Sequence, residues 1–453
     1  MTDWILHTCS RLEERYYETR HESGLRILVA PKDLSAAYVT LGVAYGSRDR
    51  LAGGPLPMGT AHFLEHKMFE REGGESWEDT FSALGAEVNA YTSDDCTAYM
   101  FSATDRVGEG IEALISMVSE LSVTGKSVAR ERKIIAEEIR MNADDPWEVC
   151  YANMLRGLYP PVKRARLKRD ASFCGNPVRE EICGTVSSLR RITPAILREA
   201  HERFYRPENM ILAVSGRATP EEVADAVERA LSKAPRRDPV LGEPVVPPLR
   251  RDPDGALKHR VTVSMDTAKP LFTMGIKIDG VPEDRPSLIR LDRLATILAE
   301  ALFSRSGDLY DSLFEAGIIN PGISYGASLG RPTADGGEGY GYLYFSGECD
   351  RPEQVFEIVT AYLNRLRERG IEKSAFDRAG RTLYADFIYG FDSTEGIASS
   401  LQSAAMDGVN LFDLPKIDGE LTLEDAQALL VRIARPENYT LSTVIPPTTP
   451  PLG

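Results

Sequence analysis

The tetrapeptide Arg-Pro-Glu-Asn occurs twice, at 206–209 and at 435–438, and each copy runs into a β-rich stretch, Met210-Ile-Leu-Ala-Val-Ser215 and Tyr439-Thr-Leu-Ser-Thr-Val-Ile445. The copies are 229 residues apart (435 − 206). A second matched pair, Leu41-Gly-Val-Ala-Tyr-Gly46 and Met274-Gly-Ile-Lys-Ile-Asp-Gly280, is offset by 233 residues at Gly42 and Gly275 (275 − 42). Two anchors at nearly one offset restrict the chain to a duplicated domain of roughly 230 residues. A length of 453 residues is also too great for one ordinary hydrophobic core.

Within each half, β-rich runs alternate with helical stripes, which predicts an α+β fold. Each domain is expected to hold an antiparallel-rich sheet with helices packed on it. In the first half, 25–29 and 37–45 read as antiparallel strands joined through Pro31-Lys-Asp33, and 86–93 with 97–103 as a hairpin turning at Asp94-Asp95. Helices are expected from near Thr60 within the stretch 59–70, and at 76–84, 107–121, 127–142, 146–158 and 194–204. In the second half, strands are expected at 260–264, 271–278, 341–346 and 439–445, with helices at 287–303, 355–369, 373–389 and 423–433. The stretch 233–258 is Pro-rich, charged and aperiodic, and is read as a linker between a domain 1–232 and a domain 259–453.

The net charge of −15, from 68 acidic against 53 basic residues, argues against nucleic acid as the main partner. No apolar run approaches the roughly 18 residues of a membrane-spanning helix. The N-terminus lacks the basic start and apolar run of a signal peptide. The six cysteines have no C-x-x-C spacing and are read as reduced thiols of a cytoplasmic protein. One local exception in charge is the basic run 160–169, read as a solvated loop or as a docking patch for an acidic partner.

Gly59-Thr-Ala-His-Phe-Leu-Glu-His66 carries two of the six histidines four residues apart. On a helix capped near Thr60, His62 and His66 project from one face and can grip one metal ion. Glu65 falls about 60° to the side of His62 on the same wheel. The order H-x-x-E-H is the reverse of the commoner zinc-protease H-E-x-x-H. Catalytic zinc takes three protein ligands, so a third must come from elsewhere. Glu131, Glu137 and Glu138, on the helix predicted from 127 to 142, are the candidates. With such a site, Glu65 can take a proton from a water acidified by Zn2+ and pass it to a leaving amine. A shift of about 231 residues carries His62 to Arg293, in a helical stretch with no histidine. One copy carries the metal motif and the other is blank.

These stretches resemble the insulinase/pitrilysin family of zinc peptidases, marked by H-x-x-E-H and a glutamate ligand roughly 70–80 residues later. Asn89-Ala-Tyr-Thr-Ser93, Glu131-Arg-Lys-Ile-Ile-Ala-Glu-Glu-Ile139, Ile182-Cys-Gly-Thr185 and Tyr205-Arg-Pro-Glu-Asn-Met210 carry the likeness across the first half. The resemblance implies a duplicated metallohydrolase domain of the kind seen in LuxS and mitochondrial processing peptidase, with one inert copy. It implies His62, His66 and Glu138 as zinc ligands and Glu65 as the base. It implies Glu131, seven residues before Glu138, as the carboxylate that orients a ligand histidine. Asn89, Ala90 and Tyr91 correspond to an edge strand that pairs with the substrate backbone.

His66-Lys-Met-Phe69 is similar to small bacterial members that work as pairs. The family's second domain supplies an Arg and, seven residues on, a Tyr near the zinc. Here Phe314 and Pro321 stand at those places, and Arg305 with Tyr310 fits only a shifted alignment. The resemblance therefore implies the zinc-bearing subunit of a dimer, completed by a homologous partner or by a second copy. The alternative it leaves is a non-catalytic scaffold subunit.

Overall fold

The computed structural model describes residues 3–49, 56–161, 163–164, 173–234, 252–332 and 338–447. Most of the basic run 160–169 and the centre of the predicted linker, 235–251, lie outside them. Of that basic run, Lys163–Arg164 pairs with Phe173–Cys174 in a short ribbon. The fold is α+β, with two larger mixed sheets packed by helices.

The first sheet holds β1 (Ile5–Cys9), β2 (Glu14–Arg20), β3 (Arg26–Pro31), β4 (Ala37–Val43), β5 (Glu87–Thr92), β6 (Thr97–Ala103) and β7 (Met210–Gly216). Their order is β1-β2-β3-β7-β4-β6-β5. The second holds β8 (Arg260–Ser264), β9 (Leu271–Lys277), β10 (Ser324–Gly330), β11 (Tyr340–Glu348) and β12 (Tyr439–Ile445), in the order β8-β12-β9-β11-β10. Strand by strand, β3-β7-β4-β6-β5 repeats as β8-β12-β9-β11-β10. In both five-strand runs the first pair is parallel and the rest antiparallel. Both sheets are rich in antiparallel pairs, as expected, and each also carries one parallel pair that makes it mixed. The antiparallel strands expected at 25–29 and 37–45 form as β3 and β4, but they are not hydrogen-bonded neighbours, because β7 lies between them.

The repeated Arg-Pro-Glu-Asn has a structural reason. Each copy folds as a one-turn 3-10 helix with proline at its start, where the missing N–H costs nothing. The closing asparagine then holds the neighbouring strand. Asn209 Nδ2 donates to the Ala44 carbonyl at 3.2 Å, and Asn438 Nδ2 to the Lys277 carbonyl at 3.2 Å. The second anchor meets the first across the ladder, since Gly42 faces Ile211 and Gly275 faces Thr440.

The chain divides into two compact units, and neither is continuous in sequence. The first comprises Met1–Glu137, Glu181–Val245 and Asp386–Leu414; the second comprises Glu138–Glu180, Val246–Ala385 and Pro415–Gly453. Five helices matter below: α1 (Thr60–Met68), α2 (Gly125–Asp144), α3 (Pro146–Leu158), α4 (Arg285–Phe303) and α5 (Thr394–Asp407). Helix α5 covers the first sheet, burying Ile397, Leu401, Ala404 and Ala405 against Leu28, Ala30, Ile211 and Ala213. Burying each such large aliphatic side chain stabilises by about 1.5–3 kcal/mol. In the second unit, Met154 and Leu158 of α3 pack with Tyr159, Tyr340 and Tyr342.

The two repeat glycines let these helices approach. A Cβ on Gly42 would lie 2.6 Å from Met406 Cε, and one on Gly275 would lie 2.6 Å from Met154 Sδ. In each case glycine is the residue that fits.

Candidate metal centre

Every residue of α1 except His66 is buried. A buried helix with two histidines, a glutamate and a lysine needs partners for each. The helix starts behind Gly59, whose φ of 83° is a left-handed conformation that glycine adopts without strain. Thr60, predicted as the cap, is instead the first helical residue, and its hydroxyl donates to the Pro57 carbonyl at 2.6 Å.

His62 and His66 lie one turn apart, their ring centroids separated by 4.6 Å and their planes inclined by 65°. Glu65 is 9% exposed, and its Oε2 accepts a hydrogen bond from the Thr92 hydroxyl at 2.5 Å. Thr92 ends β5, so the edge strand and the candidate base are tied directly.

Helix α2 brings the carboxylates. Glu131 Oε1 lies 3.1 Å from His66 Nδ1. A carboxylate at Nδ1 fixes the tautomer and assigns any metal ligation to Nε2. That hydrogen bond holds the Glu131 carboxyl below the usual carboxylate range, against the effect of burial. The other Glu131 oxygen lies 3.9 Å from Lys67 Nζ. Lys67 is fully buried and pairs with Glu70, which Arg130 reaches at 3.2 Å. Burial lowers the Lys67 ammonium below its ordinary value.

A third segment closes on the helix start. Arg132 of α2 donates to the carbonyls of Leu189 and Ile192 at 3.0 and 2.9 Å. Ser188 Oγ donates to the Met58 carbonyl at 2.9 Å. Gly184 has φ 75°, and a Cβ there would lie 2.6 Å from the Met58 oxygen. A Cβ on Gly59 would overlap the Cys183 carbonyl. Two glycines thus seat Cys183 against the N-terminus of α1.

The result is a set of three metal-ligand side chains, His62, Glu138 and Cys183, whose ligand atoms all lie within 4.8 Å of one another. Glu138 sits in unbroken helix one residue past Glu137, the last of the first unit's opening segment. Of the candidate carboxylates it is Glu138 that joins His62. Glu137 is exposed and outside the set, and Glu131 serves His66 instead. Imidazole nitrogen, carboxylate oxygen and thiol sulfur together are a donor set that suits zinc.

The sequence did not reveal Cys183 as part of this cluster. Its Sγ is 3.8 Å from His62 Nε2, across 121 residues of chain. No spacing rule links them; the only signal was that Ile182-Cys-Gly-Thr185 lies in a stretch with a recognisable pattern.

Asn89, Ala90 and Tyr91 lie on β5, the last strand of its sheet, paired only with β6 among the described strands. Asn89 and Tyr91 are on its exposed face and Ala90 on the opposite one. Asn89 Oδ1 accepts from the Ala90 N–H at 2.8 Å. In the second unit, Tyr310 is 9% exposed and stacked on Phe314, within the core cluster. Arg305 and Pro321 are exposed. No helix among the described residues is long and apolar enough to cross a membrane.

Comparison with known proteins gives a consistent result. Residues 28–164 match the family described as insulinase (peptidase family M16), and residues 191–383 match the peptidase M16 inactive domain. The chain is 30% identical over 445 residues to the uncharacterized zinc protease YmfH of Bacillus subtilis, covering 96% of this chain and 98% of that protein. It is 25% identical over 303 residues to mouse cytochrome b-c1 complex subunit 1, covering 66% of this chain and 56% of that one. A crystal structure of an M16-like peptidase from Alicyclobacillus acidocaldarius superposes with a TM-score of 0.85 at 29% identity, covering 98% of both chains.

Proposed function

The chain belongs to the insulinase (M16) family of peptidases, and from that premise we propose that it is a zinc-dependent endopeptidase acting on extended or unfolded peptides. The observation that carries this reading is the convergence of His62 and Glu138 in one ligand cluster, with His66 one helical turn from His62. His62, His66 and Glu138 would hold the ion. Zinc bound there supplies Lewis acidity toward a peptide carbonyl and acidifies water.

The protein's own groups do the rest. Thr92 steadies one oxygen of Glu65, so the other can take a proton from water and return it to the leaving amine. Glu131 keeps the His66 ring in place. The outer edge of β5 offers backbone donors and acceptors to an extended peptide, with Asn89, Ala90 and Tyr91 beside it. Pairing through backbone reads chain extension more than side-chain identity.

In this reading catalysis belongs to residues 1–232, joined through 233–258 to a non-catalytic copy at 259–453. The chain acts as one subunit of a cytoplasmic dimer. Burial of Tyr310 and the presence of Phe314 and Pro321 at the other clamp positions support a homologous partner that supplies Arg and Tyr. Cleavage measured for the chain alone and with such a partner tests this part. Equal turnover by a monomer would remove the need for a partner.

The direct test is Glu65→Gln. Metal analysis should find zinc retained, while cleavage of a quenched-fluorescence peptide falls by ~10²–10⁴-fold, the usual worth of a positioned acid–base group. Unchanged cleavage would remove Glu65 from the mechanism. The likeness to a cytochrome b-c1 complex subunit favours a second reading, a non-catalytic scaffold. A chain purified without stoichiometric zinc, and unable to bind it, would favour the scaffold.

A further inference from the structure

We propose that Cys183 is a fourth protein ligand of the metal, closing the centre in the absence of substrate; the inference rests on the zinc-peptidase reading above. Three observations carry it. Cys183 Sγ lies 3.8 Å from His62 Nε2, and both belong to the cluster with Glu138 whose ligand atoms lie within 4.8 Å of one another. A nitrogen and a sulfur on one tetrahedral zinc are separated by roughly 3.6 Å, given bonds near 2.1 and 2.3 Å. The observed separation is therefore close to that of two ligands of one ion.

The sulfur is also held where it is by backbone. Gly59 and Gly184, both at positive φ, let the 183–184 peptide press on the start of α1. Ser188 and Arg132 fasten the following turn to Met58 and to α2. Cys183 is 8% exposed and His62 is 8% exposed, so the pair is screened from bulk solvent. A thiol placed by chance on a mobile loop would have none of these restraints.

The chemistry follows from the donor count. Two imidazoles and one carboxylate leave a zinc ion one open position, the mark of a catalytic site, whereas four protein donors make a closed one. On ligation the Cys183 thiol gives its proton to solvent, an S–metal bond forms, and a water molecule leaves. The position it takes is the one that water or a peptide carbonyl needs. Substrate binding reverses the exchange: the S–metal bond breaks and the sulfur recovers a proton. Cys183 is thus a resting-state latch.

The test uses the full chain loaded with Co(II) in place of zinc. The wild type should bind one cobalt per chain and show a near-ultraviolet thiolate-to-cobalt charge-transfer band. Cys183→Ala should keep the cobalt and lose the band. In the unmodified chain, peptide mapping after iodoacetamide should find Cys183 protected by metal and labelled after chelation. Bound cobalt with no sulfur band, or a band and labelling pattern indifferent to Cys183→Ala and to metal, would overturn the latch and leave the peptidase reading standing. Failure to bind cobalt stoichiometrically would overturn both.

Discussion

A shift of about 231 residues pairs His62 with Arg293, and their helices are secured by different chemistry. On α1, His62 meets Glu138 and Cys183 in a cluster fit for a cation. On α4, Arg293 reaches Asp418 through two parallel hydrogen bonds of 2.7 Å, and Arg290 reaches Asp425 at 3.1 Å. The second copy therefore carries its own positive charge where the other gathers possible metal donors. A fixed guanidinium needs no ion and offers no open position. The same duplicated framework serves one helix that gathers metal-ligand side chains and another that holds its arginines in ion pairs.

The widest separation between the copies is expected from a matched pair of truncations. His62→Ala should abolish zinc retention and peptide cleavage together. Arg293→Ala should leave the zinc content of the purified chain unchanged. It should instead destabilise by about 2–4 kcal/mol, because Asp418, 10% exposed, is left without its bidentate partner. Metal analysis and denaturant melts of both variants read this directly. Loss of zinc from Arg293→Ala without loss of stability would mean that the second copy is not inert.

A smaller effect should be shared by both copies. Gly42→Ala and Gly275→Ala each drive a methyl into a covering helix, so each should cost about 1–3 kcal/mol. Unequal costs would show that one helix is the looser of the two. Next, Glu131→Gln keeps the shape but weakens the hold on His66, and zinc affinity should fall by ~10–100-fold in a chelator competition.

The smallest effect concerns pH in the second copy. Asp425 is held below its ordinary range chiefly by the Thr422 backbone N–H. A depressed carboxylate adds stability above its unfolded pKa and loses it as pH falls through the folded value. The Tm advantage of wild type over Asp425→Asn should therefore shrink on acidification. An advantage independent of pH would assign the effect to packing.

Much of this arrangement was legible because it is local. Helix α1, the α2 carboxylates and the strands opened by Arg-Pro-Glu-Asn depend on neighbours within a few turns, and sequence period reports those. Strand β10, Ser324–Gly330, escaped notice because Gly326 and two serines give it little β-propensity; it exists through its pairing with β11. Helix α5 escaped because its face is mostly small residues, Ala398, Ala404 and Ala405, suited to close approach but weak as a hydrophobic stripe. The parallel pair β3–β7 and the contact of Cys183 with His62 join residues far apart in sequence, and no periodicity encodes such meetings.

Helices α3 and α5 have a consequence for ancestry. Each completes the compact unit founded on the other half of the sequence. A forebear of half this length, folded the same way, would have left part of its sheet uncovered until a second copy lent its helix. Such a protein would have been an obligate pair that exchanged helices. Joining the two halves in one chain makes that exchange of helices independent of concentration.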